Sequence, residues 1–423
     1  MAPDDIVGLS WPKDDLTMIP YGVYINADVF DLEMERIFHG PSWNYLGLEV
    51  EIPEPGDFVT TSVGTTPVVL NRGRDGSIHA FVNRCAHRGA QVVRETHGNT
   101  KVHTCIYHQW SYDHAGKLVG VPYRNGIHGN GGFPNDFQPG AHCLNKLRIE
   151  IFHGIVFGTF SEATPSLVEY MGTPLKERIE ALCTRPIKVT GYQRQRVRGN
   201  WKLYIENVKD CYHGSLLHSF NSCFGMFRST QRGSSVMGEH PYHSVLTTYG
   251  VAESEMVGET LGAIATHKPK FELEDSSVVD VFREHTDGMV TTILTMFPCF
   301  VLAQIANHLG FRLIRPISPD EFELVWTNFE YVDDEPWQSE VRRKQGNLLG
   351  PAGYLAMEDA EALELAQQSI HGDQGKGHAF IELGGRAFED QDHLVTEVPI
   401  RGFWKGYCEI MGFATGDGTA ASS

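Results

Sequence analysis

The sequence lacks an excess of basic residues, and this absence limits the partners that it can bind. Lysine and arginine total 35 against 53 aspartate and glutamate residues, which gives a formal net charge of −18 over 423 residues. Nucleic acids and anionic membrane surfaces attract proteins through basic patches. We therefore expect this chain to bind neither a nucleic acid nor a membrane surface.

Long apolar runs and regular cysteine spacing are also missing. No stretch reaches the roughly 18 to 20 consecutive apolar residues needed to cross a bilayer. The first residues, MAPDDIVGLSWPKDD, are acidic and have no apolar core, so they do not look like a signal peptide. The eight cysteines follow no regular spacing, which argues against a secreted disulfide framework. The sequence therefore predicts a cytoplasmic protein.

The chain contains two regions that differ in their pattern of apolar residues and turn signals. From about residue 43 to 160, segments rich in β-branched and aromatic residues alternate with turn signals such as PEPGD and GRDG, which is typical of a small all-β domain. Later segments have apolar residues at helical spacing and surround four long predicted strands, so the second part is predicted to be α+β with an antiparallel sheet. The predicted domains are 43–160 and, together, 16–42 and 161–415.

The first candidate site consists of two Cys/His pairs in the predicted β-domain. Cys85 and His87 form a Cys-x-His pair, and after seventeen residues Cys105 and His108 form a Cys-x-x-His pair. Three interpretations are open: chance in a chain with 20 histidines, a structural zinc site, or a Rieske 2Fe–2S cluster. Zinc half-sites usually have two to four residues between ligands. A Rieske cluster needs two cysteines on one iron and two histidines on the other, and this pattern favours it.

The second candidate site lies in the segment ENVKDCYHGSLLH. His213 and His218 could face one metal if the predicted helix bends or ends near Gly214, although an isolated pair of this kind is more often a polar helix surface. A cluster that stores one electron needs an acceptor. An Fe(II) ion held by two histidines and one carboxylate, with open positions for oxygen, can be that acceptor.

The carboxylate ligand must come from elsewhere in the chain. Asp359 is our first choice and Glu358 the alternative, both near the start of a predicted helix, where acidic residues are also common for electrostatic reasons. Asp210 lies three residues before His213. We expect Asp210 to contact the outer nitrogen of His213, that is, the ring nitrogen that does not bind the metal. Ligating histidines usually donate this N–H to a carboxylate.

Taken in this order, the motifs resemble the α-subunits of bacterial aromatic-ring-hydroxylating dioxygenases over nearly the whole chain. The resemblance implies a Rieske β-domain followed by a helix-grip (START or Bet v1-like) catalytic domain. It implies a 2Fe–2S cluster on Cys85, His87, Cys105 and His108, and a mononuclear Fe(II) on His213, His218 and Asp359.

The resemblance also implies partners. Subunits of this family form head-to-tail homotrimers, often as α3β3 with a small β-subunit. Electrons arrive from NADH through a flavin reductase, usually through a ferredoxin. Asp210 matches the residue that bridges a cluster histidine of one subunit and an iron histidine of the next, here His108 and His213. Electrons are therefore expected to cross between subunits.

Shared stretches such as GNWKLYIENVKD, NLLGPAGY and VTEVPIRGFW place the resemblance in the group that acts on benzoate derivatives. A buried carboxylate needs a cation, and arginine binds it with two parallel hydrogen bonds. Arg312 matches an arginine that holds a substrate carboxylate in the terephthalate enzymes, although a surface position on its strand is an equal alternative. Leu394 stands where those enzymes have a second arginine, which argues against a dicarboxylate.

The expected substrate is therefore an aromatic monocarboxylate, hydroxylated with O2. Anthranilate, converted by 1,2-dioxygenation to catechol, is the first choice, and salicylate 5-hydroxylation or dioxygenation of 2-halobenzoate or terephthalate are alternatives. A Rieske electron carrier without oxygenase activity is the alternative from another class. Four further pocket residues are suggested by position alone: Phe220, Leu294, Gln304 and Asn307.

Overall fold

The computed structural model describes residues 9, 11–12, 14–229, 231–250 and 273–415. The chain divides into two compact units. One, called here the cluster unit, comprises Phe38–Leu167, and the other, called the catalytic unit, comprises the residues before and after it. The sequence-based domain boundaries at 43 and 160 stay predictions. Within the described ranges, no helix is both long enough and apolar enough to cross a membrane.

The catalytic unit begins with β1 (Met18–Pro20) and α1 (Ala27–Glu33). The side chain of Asn26 caps α1 by accepting hydrogen bonds from the N–H groups of Asp28 and Val29, which satisfies donors that the first helical turn leaves free. β1 pairs antiparallel with a strand from the far end of the chain, β19, which spans His378–Phe380. The N-terminal segment is therefore tied into the same unit as the C-terminal third of the chain.

The cluster unit contains only short strands and single-turn helical segments among its regular elements. Its strands are β2 Asn44–Leu48, β3 Asp57–Val63, β4 Thr66–Arg72, β5 Ile78–Val82, β6 His97–Asn99, β7 His103–Thr104, β8 Ser111–Tyr112, β9 Leu118–Gly120, β10 Arg148–Phe152 and β11 Ile155–Thr159. They form antiparallel sheets in the orders β10-β11-β2, β5-β4-β3-β6 and β7-β8-β9. This confirms the prediction of an all-β first domain.

Helices and one large sheet form the rest of the catalytic unit. The helices are α2 Leu167–Cys183, α3 Trp201–Lys209, α4 Ser219–Cys223, α5 Pro336–Leu349, α6 Tyr354–Gly372 and α7 Val398–Met411. The strands are β12 Ile187–Val197, β13 Arg232–Val236, β14 Ser244–Tyr249, β15 Met289–Met296, β16 Phe300–Ile305, β17 His308–Ser318 and β18 Glu321–Tyr331. Gly172, with φ 69°, interrupts α2, a conformation that glycine adopts at little cost.

The large sheet is antiparallel throughout, in the order β12-β18-β17-β16-β15-β14-β13. Every residue of β16 is buried, whereas β12 at one edge alternates between half-buried and exposed positions. Central strands covered on both faces read as continuous apolar runs, and edge strands keep one polar face. The predicted α+β class with an antiparallel sheet is therefore confirmed, as are the four long predicted strands, which are β15 to β18.

The predicted helix through ENVKDCYHGSLLH is shorter than expected. α3 begins after Asn200, whose side chain accepts from the Lys202 N–H at 3.1 Å, and it ends at Lys209. A single 3-10 turn follows at His213–Ser215. The two histidines therefore lie on an irregular connection and not on one helix face.

Candidate metal centres

Two loops of the cluster unit have the same backbone conformation. The N–H of Cys85 donates to the carbonyl five residues later at 2.8 Å, and the N–H of Cys105 does the same at 2.9 Å. In each loop the fourth residue after the cysteine has left-handed backbone, Gly89 with φ 76° and Gln109 with φ 58°. The N–H groups of these two residues donate back to the cysteine carbonyls. The sequence therefore builds two equivalent loops, each presenting one cysteine and one histidine.

The cysteines of these loops lie inside and the histidines lie near the surface. Cys85 and Cys105 are buried, and the Cys85 thiol lies 3.3 Å from the hydroxyl of Tyr112. Burial raises the pKa of the Cys105 thiol, while backbone N–H groups of Tyr107 and His108 act in the opposite direction by hydrogen-bonding to its sulfur. N–H donors aimed at sulfur are suited to a thiolate that binds a metal.

The histidines of the two loops lie side by side. The ring centroids of His87 and His108 are 4.4 Å apart, and the ring of Trp110 stacks on His87 at 4.8 Å. The Nδ1 atom of His87 is buried and has no hydrogen-bond partner among the described residues. Two inner cysteines, two outer histidines and an unpartnered imidazole nitrogen fit a 2Fe–2S cluster with one iron on each kind of ligand.

The second constellation brings together three groups from distant parts of the sequence. The Nε2 atoms of His213 and His218 lie 3.4 Å and 3.2 Å from the same oxygen, Oδ1 of Asp359. One ligand atom from each residue lies within 4.8 Å of the other two. In the part of the chain that the structure describes, this is the one group of three or more His, Cys, Asp or Glu residues whose ligand atoms lie close enough together to hold a single metal ion.

The electrostatics of this group favour a positive charge at the point where its members converge. Burial opposes protonation of His213, but the carboxylates of Asp210 and Asp359 raise its pKa to about 10. Burial also opposes ionisation of Asp359, yet the two imidazoles hold the pKa of this carboxyl well below its usual range. A divalent metal can supply the same positive charge while leaving both imidazoles neutral. Two nitrogens and one carboxylate oxygen are the donor set of non-haem Fe(II) sites that bind oxygen.

Three polar side chains surround this donor set. Asp210 Oδ2 lies 3.2 Å from Nδ1 of His213, and Nδ1 of His218 is 2.7 Å from Oε2 of Glu358. Glu358, the alternative candidate for the carboxylate ligand, therefore contacts the outer nitrogen of a histidine and not the point of convergence. Asn207 donates from Nδ2 to Asp359 Oδ1 at 3.0 Å.

A cleft adjoins these groups, and its empty volume is about 550 Å³ when the space open to solvent is counted. Its wall contains His213, His218 and Asp359, and most of the other side chains are apolar. The apolar ones are Val208, Cys211, Phe227, Leu246, Ile293, Ile305 and Leu355. A largely apolar cleft with a few polar groups is typical of a small-molecule site.

Arg312 supplies the cation of this cavity. Its side chain lines the wall, is buried, and stacks over the ring of Trp326 at 3.9 Å. Nη1 donates to the hydroxyl of Tyr204 at 3.1 Å, whereas Nε and Nη2 have no partner within the described ranges. The surface alternative for Arg312 is therefore wrong. A buried guanidinium with two unsatisfied N–H groups is costly unless a ligand satisfies them.

Four residues that position alone suggested for the pocket do not line this cavity: Phe220, Leu294, Gln304 and Asn307. Ile293 and Ile305 line it instead, and because side chains alternate across a strand, the next residue along β15 and the preceding one on β16 face away. Phe220 stacks on Tyr354 at 5.2 Å, and the Asn307 side chain bonds to the backbone of Phe282.

Several groups of the site were not identified from the sequence. They are Tyr204 and Trp326, which hold Arg312, and Thr291, whose buried hydroxyl lacks a partner among the described residues and lines the cavity. The register of β17 with β18 pairs Arg312 with Trp326. A register counted from the turn alone would have paired Arg312 with Thr327, because a bulge between Pro316 and Ser318 shifts the pairing by one residue.

Two family models match the chain. The Rieske [2Fe-2S] domain matches residues 42–130, and the catalytic domain of the ring hydroxylating alpha subunit matches residues 184–412. The first range contains both Cys/His loops, and the second contains the two histidines, Asp359 and Arg312. These matches confirm the resemblance that the motifs indicated, and with it the presence of a Rieske 2Fe–2S cluster and a mononuclear iron as cofactors.

Relatives match over almost the whole chain. The anthranilate 1,2-dioxygenase large subunit of Burkholderia cepacia is 44% identical, with 97% of each chain covered. Subunit alpha 2 of the terminal oxygenase component of terephthalate 1,2-dioxygenase from a Comamonas species is 42% identical, with 96% of this chain and 98% of that one covered. Both names describe subunits of aromatic 1,2-dioxygenases.

The fold also matches solved structures. Naphthalene 1,2-dioxygenase from a Rhodococcus species, solved with indole bound, superimposes with a TM-score of 0.77 at 24% identity and covers 93% of this chain and 94% of its own. At this identity the likeness supports the fold alone. Together with the family matches, these observations identify the chain as a member of the ring-hydroxylating alpha-subunit family, the large subunit of an oxidoreductase.

Proposed function

We propose that this chain is the terminal oxygenase large subunit that hydroxylates an aromatic monocarboxylate with O2 and NADH-derived electrons, and that its substrate is anthranilate. The observation that carries the proposal is the free Nε–Nη2 edge of Arg312, buried in the wall of the cavity that also contains the converging histidines and Asp359. In this proposal Cys85, His87, Cys105 and His108 hold the cluster. His213, His218 and Asp359 hold the mononuclear iron.

Arg312 acts as the carboxylate clamp. The Nε–H and one Nη2–H of a guanidinium point in the same direction, so this edge can donate two parallel hydrogen bonds to one carboxylate. The hydroxyl of Tyr204 accepts a hydrogen bond from Nη1, and Trp326 fixes the plane of the guanidinium by stacking on it. A benzoate-type ring held at its carboxylate then lies along the apolar part of the wall, beside the proposed iron ligands.

The remainder of the cavity favours a monocarboxylate with a polar ring substituent. Leu394 is fully buried and packs with Cys211, Phe227 and Leu246, which are cavity residues, so a second carboxylate would meet an apolar surface there. The unpartnered Thr291 hydroxyl can donate to or accept from an amine or a hydroxyl on the ring. The position of this hydroxyl in the cavity wall supports anthranilate, and salicylate as the second candidate, over 2-halobenzoate and terephthalate.

The proposed reaction balances with the cofactors of the family. Anthranilate, O2 and the two electrons and two protons supplied by NADH and H⁺ give catechol, carbon dioxide and ammonia. The cluster and the mononuclear iron supply electron delivery and oxygen activation when bound. The chain itself orients the carboxyl-bearing and amine-bearing carbons through Arg312, and the apolar wall keeps water away from the ring.

The proposed partners follow the family. The subunit assembles as a homotrimer or as α3β3 with a small β-subunit, and it receives electrons from an NADH-dependent flavin reductase, directly or through a ferredoxin. Asp210, which contacts His213 at its outer nitrogen, is proposed to bridge to the partner subunit's His108. The carboxylate then links the donor side and the acceptor side of the electron transfer.

Turnover with a reconstituted electron supply tests the substrate. Anthranilate, salicylate, 2-chlorobenzoate and terephthalate are each incubated with the oxygenase, a reductase, NADH and O2. We expect the highest kcat/KM with anthranilate, with catechol and ammonia formed in equal amounts and one NADH oxidised per product. Faster hydroxylation of salicylate would replace the first candidate by the second. Turnover of terephthalate alone would refute the monocarboxylate assignment.

A further inference from the structure

The two histidines of the proposed iron site are held differently at their outer nitrogens. Nδ1 of His218 hydrogen-bonds to Oε2 of Glu358 at 2.7 Å. Nδ1 of His213 lies 3.2 Å from Asp210, in a geometry that leaves this buried atom without a hydrogen bond among the described residues. The other oxygen of Asp210 accepts from the backbone N–H of Tyr212 at 2.7 Å. One imidazole therefore has a firm acidic partner and the other a loose one.

The firm partner comes from the same helix turn as a proposed ligand. Glu358 and Asp359 are consecutive residues of α6, and they contact opposite nitrogens of the His218 ring, Nδ1 at 2.7 Å and Nε2 at 3.2 Å. The ring of His218 is thus held between two adjacent carboxylates of one rigid element. Its side chain is 4% exposed, against 22% for His213, which follows the end of α3 on a 3-10 turn.

A carboxylate at the outer nitrogen has two effects on an imidazole ligand. It fixes the tautomer that leaves the Nε2 lone pair free for the metal, and it fixes the rotation of the ring. Its negative charge also makes the ring nitrogen a stronger donor. Both effects strengthen metal binding, and only the second needs the charge.

We propose that Glu358 is a positioning residue that anchors His218, so that the site holds its iron mainly from the α6 side through Asp359 and His218. His213 is then the more loosely held ligand. This inference rests on the ligand set given under the proposed function. It assigns to Glu358 a role that is distinct from that of a ligand.

Three variants distinguish the effect of the Glu358 charge, the effect of its hydrogen bond on the orientation of His218, and the general effect of removing an acidic residue from α6. Glu358→Gln keeps an oxygen that can accept from Nδ1 but removes the charge, and Glu358→Ala removes both. Glu361→Gln is the matched control, because Glu361 is an exposed acidic residue three positions further along α6. Each full-length protein is loaded anaerobically with Fe(II) and dialysed against chelators of graded strength. Iron retained beyond the cluster iron is then measured.

We expect weaker Fe(II) binding in both Glu358 variants. Changes to carboxylates behind metal-bound histidines typically lower metal affinity by about 10-fold to 100-fold, so Glu358→Gln should lie near the lower figure and Glu358→Ala near the upper one. Glu361→Gln should bind Fe(II) like the unaltered protein. The line shape of the electron paramagnetic resonance signal of the Fe(II)–nitric oxide form should change in Glu358→Ala, because the ring of His218 is free to rotate.

Two controls make the result specific. The visible absorbance of the cluster and the unfolding temperature of the iron-free protein should be the same in all three variants, which excludes loss of fold as the cause. Asp359→Asn tests the ligand set separately, since it should lose the mononuclear iron. Unchanged Fe(II) affinity in both Glu358 variants, with iron lost from Asp359→Asn, would overturn this inference alone. Iron retained by Asp359→Asn would refute the proposed ligand set.

Discussion

The two metal-binding regions of this chain differ in how their ligands are distributed along the sequence. The proposed cluster ligands lie in one short stretch from Cys85 to His108, and each loop brings its own cysteine and histidine. At the iron site, 140 residues separate His218 from Glu358, and the histidines lie on an irregular connection while the carboxylates lie on α6. The first site is built by local backbone conformation, and the second exists only after the catalytic unit has folded.

This difference predicts that the two centres can be lost separately. The cluster loops are held by hydrogen bonds within each loop, from Cys85 and Cys105 to carbonyls five residues away. The iron site depends on the packing of α3, α6 and the large sheet. Loss of one ligand should therefore remove its own centre and leave the other unit folded.

The largest effect is expected from Cys105→Ser. A hydroxyl is a poor substitute for a thiolate on iron, so the protein should lose the cluster, its visible absorbance and all oxygenase activity. The Cys143→Ser variant is the control, because Cys143 is half-buried in the same unit and its thiol contacts only the carbonyl of Gly140 among the hydrogen bonds described. Cluster absorbance retained in Cys105→Ser would show that the loops are not the ligand source.

A smaller effect is expected from Arg312→Gln, which should weaken substrate binding and leave both metal centres intact. The loss of charge-assisted hydrogen bonds to a buried carboxylate costs about 3 kcal/mol, which corresponds to a decrease in kcat/KM for anthranilate of about 100-fold, mostly through KM. Arg315→Gln is the control, since Arg315 lies on the same strand and pairs with Glu323 at 2.6 Å. Both metal centres should be intact in both variants. Equal kinetics for Arg312→Gln and Arg315→Gln would remove the carboxylate clamp from the account.

The smallest expected effect is the loss of stability in acid that one buried histidine causes in each unit. Burial lowers the pKa of His103 in the cluster unit and of His308 in the catalytic unit to about 4, from 6.5. The pKa of each histidine is lower in the folded protein than in the unfolded chain. Its contribution to the free energy of unfolding is therefore fully present above about pH 6.5 and is lost as the pH falls toward about pH 4. Each histidine should cost its unit about 2 kcal/mol by about pH 5.

Glutamine at either position removes this titration. Urea unfolding at about pH 7.5 and about pH 5 measures the change. Cluster absorbance follows one unit, and tryptophan fluorescence of a Trp43→Phe, Trp110→Phe background, in which the other five tryptophans all lie in the catalytic unit, follows the other. The acid-induced loss should shrink by about 2 kcal/mol in His103→Gln and in His308→Gln, each in its own unit. A loss as large as in the unaltered protein would show that other groups cause it.

The sequence was most informative where structure is local. The strands Asp57–Val63 and Thr66–Arg72 lie within the region predicted to be a small all-β domain, because β-branched residues and flanking turns determine such strands locally. The paired Cys/His loops were predicted for the same reason. The histidines His213 and His218 were found because they are close in the chain.

Long-range contacts were predictable only through resemblance or not at all. Asp359 was the first choice for the carboxylate ligand and Glu358 the alternative, but the contact of Glu358 with Nδ1 of His218 depends on how α6 packs, which no local pattern reports. The pocket residue Leu294 was wrong because one residue of shift reverses the face of a strand. Helix α3 ends at Lys209 because Asp210 adopts an extended backbone conformation, with φ −85° and ψ 104°, and its side chain accepts from the Tyr212 N–H.

Iron analysis of the unaltered protein and of Asp359→Asn tests most directly whether one polypeptide carries two independent iron centres. We expect about three irons per chain in the first, two in the cluster and one mononuclear, and about two in the second, with the same cluster absorbance in both. About two irons per chain in the unaltered protein, or no change on removing the Asp359 carboxylate, would contradict the presence of two independent centres.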